Sequence, residues 1–559
     1  MCDKSIKKIT VIIPFANEGI EVENTLKSIF EYSNGNIDVI VINDASDDDF
    51  NYENVASKYE ITYIKNEQRL GVASSRDLGI KQCQTEYFLL LDAHMRFYNN
   101  NWINRIVEEL DKDARTLLCC QTKVLRKIEN EIIEENCTKG QFSAAYIDYY
   151  SFFYFLEPGW IEIDKTKLAN QEKSTVLVPC VLGAGYACSK KYWQYLRGLE
   201  GLLSYGNDEV LISLKVWLEG GVCKLLRDVE IGHIYRKVSP YPHISETRIY
   251  NRLFISHLLL PNILRKKAFA IEKNKNLDFY LKASFIFYEK FEYIESLRLD
   301  LVPKFTKDFY YHENFNRSVK NDWKNSSKKN ERILPNLVLY IIRHINSVEG
   351  TGLISGKMGI LILLYHYAEY SKNIFISQFA DALLDEIIED LSEQLPLNIS
   401  NGLLGIGWGI EYLVQSKFIQ GNTNDLLFNF DVKVMEISPS RMCNYNLYIG
   451  FGGIVRYLLS RLYSIEKNNT KNNPFESDFL REVYDKSKEI IENKEINDCP
   501  ETYIEYILYY ENKTRIAPTS IYDIVILPSW NKYSRKNKDL SLCGLVGLCL
   551  EFIIGKFSK

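Results

Sequence analysis

The run Leu89-Leu90-Leu91-Asp92-Ala93-His94 ends an apolar stretch on a carboxylate and an imidazole two positions apart. In extended backbone such positions share one face, so both side chains can reach one cation. Mixed oxygen and nitrogen donors suit Mn2+, or Mg2+ in its place, and such an ion would neutralise a diphosphate leaving group. An isolated D-x-H reads more simply as a hydrogen-bonded histidine at a strand end. The odds change with Gly232-His233-Ile234-Tyr235-Arg236, which follows another short apolar run and offers His233 as a distant third donor. Ahead of it, Gly206-Asn207-Asp208-Glu209 opens the helical stretch VLISLKVW, where the paired carboxylates Asp208 and Glu209 could hold a general base.

Two further segments carry polar chemistry. Asn43-Asp44-Ala45-Ser46-Asp47-Asp48-Asp49 closes an apolar run; Asp44 can accept hydrogen bonds from a base or ribose there, although read alone the segment is an Asp-rich turn. In Asn66–Arg76 (NEQRLGVASSR) a glycine turn enters a helix. The N-terminus of that helix, with Arg69 and Arg76 nearby, could face a diphosphate or simply be solvated.

The elements that must position these residues alternate. Lys8–Phe15, Ile37–Asn43, Ile61–Lys65 and Tyr87–Leu91 read as strands, while Glu21–Tyr32, Val72–Cys83 and Trp102–Leu110 read as helices. This alternation predicts a parallel sheet covered on both faces, with ligands bound beyond the carboxyl ends of its strands. Those ends are where the acidic residues fall.

From about Ile333 the rhythm changes to long apolar helical patterns punctuated by GxxG: Gly356–Gly359, Gly402–Gly405, Gly450–Gly453 and Gly544–Gly547. Their first glycines are separated by 46, 48 and 94 residues, the last being twice 47, which predicts a degenerate copy near position 497. One glycine-marked helix start per period is the pattern of stacked helical hairpins. Two domains follow, residues 1–312 and 333–559, joined by a linker at 313–332 whose Asn314–Arg332 (NFNRSVKNDWKNSSKKNER) is polar and rich in Lys, Asn and Ser.

The bulk properties narrow the class. Of 559 residues, 68 are Lys or Arg and 73 Asp or Glu, a net charge of −5, which argues against a nucleic-acid binder. Twelve irregularly spaced cysteines with no CxxC pair read as reduced thiols of a cytoplasmic protein. The N-terminus MCDKSIKKITVIIPF lacks a signal-peptide core. No run nears the roughly 18 apolar residues of a transmembrane helix. Histidine is scarce, at seven.

In order, these segments resemble the GT-A glycosyltransferases of family 2, most closely the polypeptide N-acetylgalactosaminyltransferase branch, over residues 8–260. VIIPFANE is similar to that family's first strand, INDASDDDF to its nucleotide-binding acidic turn, RLGVASSRDLG to its diphosphate-side helix, and LLLDAHMRF to its D-x-H metal motif. VLGAGYACSKKYW resembles the acceptor-side glycine segment, and WLEGGVCKLLRDVEIGHIYR the closing segment with a metal histidine. The resemblance implies a UDP-sugar site made by Pro14, Glu18, Asp44, Arg69, Arg76, Asp92, Gly183 and Gly185. It also implies a metal held by Asp92, His94 and His233, with Glu209 or Asp208 at the catalytic helix. The branch reads G-G-E-N at that helix and inverting relatives read E-D; Asp208-Glu209 matches neither, so the stereochemistry stays open. The C-terminal half has no β-trefoil pattern, so the lectin domain of that branch is not expected in it.

The second half resembles the α/α toroid of lanthionine synthetase C-like proteins, most clearly in NGLLGIGWGIEYL and SLCGLVGLCLEFI. The W-C-x-G and C-H-G zinc segments of those cyclases do not occur, and four recognisable repeats fall short of a full ring, so peptide binding or scaffolding is expected rather than cyclisation. The resemblances together imply a cytoplasmic enzyme that moves a sugar from a UDP-sugar to an acceptor, a natural-product precursor peptide. The alternatives are a cell-surface glycan as acceptor, or a non-catalytic peptide-binding scaffold.

Overall fold

The computed structural model describes residues 9–557 apart from 35–36, 129–130, 135–140, 150, 152–153, 164–173, 237–239, 241–244, 324–326, 393, 468–472, 494–498 and 529–537. Two compact units emerge, one of residues 1–261 with 289–325 and the other of 262–288 with 326–559.

Twelve strands of the first unit join one sheet. They are β1 (Ile9–Phe15), β2 (Ile37–Asn43), β3 (Thr62–Lys65), β4 (Tyr87–Leu91), β5 (Met95–Phe97), β6 (Thr116–Ile128), β7 (Glu131–Glu134), β8 (Gln141–Ile147), β9 (Pro158–Ile163), β10 (Thr175–Leu177), β11 (Gly185–Ser189) and β12 (Val222–Ile234). The main order is β10-β12-β6-β11-β4-β1-β2-β3. β1 and β4 are buried at every position, which explains why their sequences run apolar without alternation. The pairs β4–β1, β1–β2 and β2–β3 are parallel.

The expected all-parallel sheet is corrected by β11, which is antiparallel to both β4 and β6. The chain enters β11 from the irregular segment after β10, with no crossover helix to impose a parallel direction. The helix Val72–Gln82 lies close on β1, because a Cβ at Gly79 would stand 2.4 Å from Ile12.

In the second unit the GxxG glycines stand at helix starts. Gly356 and Gly402 are the N-caps of Lys357–Ser371 and Leu403–Gln415, and Gly450 and Gly544 precede Phe451–Lys467 and Leu545–Phe557. Position 497 lies outside the described residues, but a fifth helix, Pro500–Tyr510, starts just beyond it. Helix 357–371 packs on 403–415, which packs on 451–467, which in turn meets 500–510; helix 545–557 returns onto 357–371. The loops before the glycines are stitched by backbone bonds at 2.9–3.1 Å: Ile354 N donates to Ser400 O and Ser400 N to Tyr448 O, each one period apart, and Leu542 N donates to Ile354 O between the last loop and the first.

Two expected boundaries change. Helices Asn262–Lys275 and Leu277–Glu289 fall with the second unit up to Tyr288, not with the first as the 1–312 domain assumed. The cause is electrostatic as well as apolar, since Lys266, Lys267 and Lys273 pair with Asp523, Glu551 and Glu501. The 313–332 linker is helical where described: Phe309–Trp323 is one helix and Ser327–His344 begins another. Two of its polar side chains bind the rest of the unit, with Asn316 bonded to both backbone groups of Ile147 and Lys320 paired with Asp148. No helix among the described residues is long and apolar enough to cross a membrane.

Candidate active site

The site forms where β4 and β12 end and β5 begins. Asp92 directly follows β4 and donates its N–H to Ala184 O at 3.1 Å. The chain turns at Ala93, whose carbonyl accepts from Thr25 Oγ1, and enters β5. Met95 then pairs with His233 of β12 in antiparallel register, and Ile234 N donates to His94 O. That short ladder joins two histidines 139 residues apart in sequence, and their Nε2 atoms lie 3.1 Å apart. His233 Nε2 is 3.4 Å from Asp92 Oδ2, and one donor atom from each of Asp92, His94 and His233 fits within a mutual distance of 4.8 Å. All three remain partly exposed amid a buried surround.

Electrostatics keeps Asp92 and His233 in the state a cation needs. Burial raises the Asp92 carboxyl, but His233 and the Arg76 charge outweigh it and hold it at about 2. Burial lowers His233 against the pull of Asp92, favouring the neutral ring, and its Nδ1 is buried without a hydrogen-bond partner. A carboxylate oxygen and two imidazole nitrogens on one point are a mixed donor set that fits a divalent transition ion such as Mn2+ better than Mg2+, which prefers all-oxygen ligands.

Arg76 organises the adjacent side. It is buried on the helix Val72–Gln82, with Nη2 donating to Asp92 Oδ1 at 2.9 Å and to Gly183 O at 3.3 Å. Nη1 bonds Asp208, and Tyr186 Oη at 3.1 Å. Arg76 therefore faces carboxylates rather than the open cleft expected for a diphosphate contact. With Asp208 engaged, Glu209 is the carboxylate left at the start of the helix Asp208–Glu219, about level with Gly183, where a Cβ would sit 3.6 Å from its carboxyl. Burial and the neighbouring Asp208 charge push the Glu209 carboxyl well above the usual carboxylate range.

The other expected donor-site residues are placed as follows. Asp44 is buried, and its oxygens accept from Asn66 Nδ2 (2.7 Å), Leu70 N and Gly71 N (2.8 Å each). It thus shapes the turn into helix 72–82 from within. Gly71 is required there: its φ is +89°, and a Cβ would strike Ser204 backbone at 2.3 Å. Arg69 crosses the same turn, donating to Asp44 O and Ala45 O. Pro14 is inside β1, opposite Ile42, and Gly185 opens β11 opposite Leu91. Glu18 lies beside the histidines, Oε2 being 3.3 Å from His94 Nδ1, and is held by Arg236. Burial opposes the Glu18 charge, but His94 and Arg236 lower its carboxyl overall.

Sequence reasoning left Tyr186, Asn66 and Arg236 without roles. Arg236 carried the readable signal, a cation three residues past His233; Tyr186 and Asn66 act through long-range contacts that spacing does not reveal.

Comparison with known proteins gives the class first: residues 10–168 match the family described as Glycosyl transferase family 2. That span carries Asp44, Arg76, Asp92 and His94 on the mixed α/β sheet. The chain is 24% identical over 261 residues to polypeptide N-acetylgalactosaminyltransferase 5 of Caenorhabditis elegans, covering 45% of this chain and 40% of that protein. It is also 24% identical over 250 residues to polypeptide N-acetylgalactosaminyltransferase 10 of Homo sapiens, covering 43% and 39%. The chain thus matches about two fifths of the length of these relatives. A crystal structure of GalNAc-T7 with UDP, GalNAc and Mn2+ aligns with a TM-score of 0.41 at 20% identity, covering 48% of this chain and 51% of that one.

Proposed function

We propose that the protein is a metal-dependent glycosyltransferase that moves a sugar from a UDP-sugar to a hydroxyl or thiol of a peptide. The observation that carries this reading is the convergence of Asp92, His94 and His233 at the carboxyl end of β4, the first two of them in the segment matching family 2 glycosyltransferases. The relatives named for polypeptide acceptors support the peptide.

In this reading Asp92, His94 and His233 would hold Mn2+ or Mg2+, which when bound supplies positive charge against the departing UDP. The Asp44 turn and Arg69 form the wall that receives the nucleotide. Asp208 is neutralised by Arg76 and does not move a proton. Glu209 takes the proton from the acceptor hydroxyl or thiol as it attacks, or orients that group where configuration is retained. Gly183, lacking a side chain, leaves the face of Glu209 open to the acceptor.

The second unit extends the proposal. Its glycine-started repeats support a lanthionine synthetase C-like role in holding a precursor peptide of a natural product. Incubating the full chain with Mn2+, a panel of UDP-sugars and candidate peptides, then weighing the peptides, tests the reading. A peptide mass gain of one hexose or N-acetylhexosamine supports it; UDP release with glycan acceptors but never peptides contradicts the acceptor assignment.

A further inference from the structure

Glu18 was expected to touch the donor nucleotide, yet its surroundings are of a different kind. The residue follows β1 and its side chain is only 5% exposed. Both carboxylate oxygens are gripped by the Arg236 fork, Nη1 to Oε1 at 2.9 Å and Nη2 to Oε2. Oε2 also stands 3.3 Å from His94 Nδ1, an electrostatic contact short of an aligned hydrogen bond. A carboxylate so enclosed offers little to a nucleotide, whose phosphates it would repel at this range.

We propose that Glu18, clamped by Arg236, is a positioning residue that orients His94 toward the cation. This rests on the reading of Asp92, His94 and His233 as cation ligands. The carboxylate favours the proton on Nδ1 of His94, which leaves Nε2 with its lone pair, and Nε2 is the atom that faces His233 Nε2 at 3.1 Å. A carboxylate behind a ligating imidazole fixes both tautomer and ring orientation. Neither Nδ1 makes an aligned hydrogen bond, but His94 Nδ1 has the Glu18 carboxylate at 3.3 Å, whereas the His233 ring is placed by the β5–β12 ladder and Asp92. The clamp also spans the chain segments involved. Arg236 follows His233 by three residues, so the Arg236–Glu18–His94 contacts tie the end of β12, the loop after β1 and the turn before β5 into one frame.

The experiment is calorimetric titration of the full chain with Mn2+ alone, and separately with UDP in the presence of a chelator. Wild-type protein that binds no Mn2+ overturns the cation reading itself. Given wild-type binding, Glu18→Gln, nearly isosteric but uncharged, is expected to weaken Mn2+ about 10- to 100-fold while metal-free UDP affinity holds. Arg236→Lys, which keeps the charge but loses the fork, is expected to weaken Mn2+ by a smaller factor, and serves if Glu18→Gln does not fold. Mn2+ affinity within about threefold of wild type in the folded variants, or a loss confined to UDP affinity, overturns the proposal and returns Glu18 to the donor.

Discussion

Arg76 Nη2 lies 2.9 Å from Asp92 Oδ1 while Nη1 of the same guanidinium grips Asp208. One buried cation therefore joins the carboxylate at the end of β4 to the helix that carries Glu209. Burial alone would disfavour its charge, but Tyr186, Asp208 and Asp92 keep it ionised.

Removing that cation strands two carboxylates. Arg76→Met is expected to cost about 3–5 kcal/mol of stability in urea unfolding, the usual effect of breaking a buried pair on one side. Arg76→Lys should recover only part, since an ammonium cannot fork between two acids. A loss below about 1 kcal/mol for Arg76→Met would show that the pair is not what holds these elements together.

Glu209 and Asp208 should separate by pH. Glu209 is held above its ordinary range by burial and by Asp208, so a base at this position is ionised only as pH rises. The transfer rate is expected to climb with pH through that raised value, and Glu209→Gln to lower kcat about 10²- to 10⁴-fold and flatten the climb. Asp208→Asn should instead lower the unfolding midpoint, because its partner is Arg76. Initial rates across the pH range for the three proteins check this; an unchanged profile in Glu209→Gln would assign the proton elsewhere.

His312 predicts an acid limit to the first unit. It is fully buried on the helix Phe309–Trp323, beside Tyr149 and Pro179 O, and burial lowers it from 6.5 to about 4. The depressed value means that the fold favours the neutral ring. Its contribution is complete above the unfolded value of 6.5 and is lost as pH falls from there through about 4. Thermal midpoints should drop across that window, and less steeply in His312→Gln. Equal slopes would remove His312 from the acid transition.

Gly402 tests the repeat geometry. A Cβ there would stand 1.7 Å from Pro396 O, a backbone atom that cannot swing aside, so Gly402→Ala should destabilise the second unit by about 2 kcal/mol or more. Denaturant unfolding followed by circular dichroism reads this directly, and a neutral outcome would mean that the loop before helix 403–415 shifts freely.

Much of this was legible in the residues. Apolar runs ending in Asn43 and Asp92 located β2 and β4, and the GxxG spacing located four helix starts and led to a fifth, because such patterns are local. What escaped depends on distant contacts. No local signal marks β11 as antiparallel, or sends helix 262–275 to the second unit, where its lysines meet Asp523, Glu551 and Glu501. The 313–332 stretch read as a linker because it is polar, yet Asn316 spends that polarity inside, on Ile147. Likewise Arg76 looked like a phosphate ligand until Asp92 and Asp208 were placed beside it.

Everything proposed for donor cleavage depends on Asp92, His94 and His233 forming a cation site. The most direct measurement is the initial rate of UDP release from the preferred UDP-sugar, in Mn2+ and after chelation, for wild type, Asp92→Ala and His94→Ala. Wild-type activity is expected to disappear on chelation and return with Mn2+, with both variants reduced at least about 100-fold. Metal-independent release, or variants as active as wild type, would contradict the cation site.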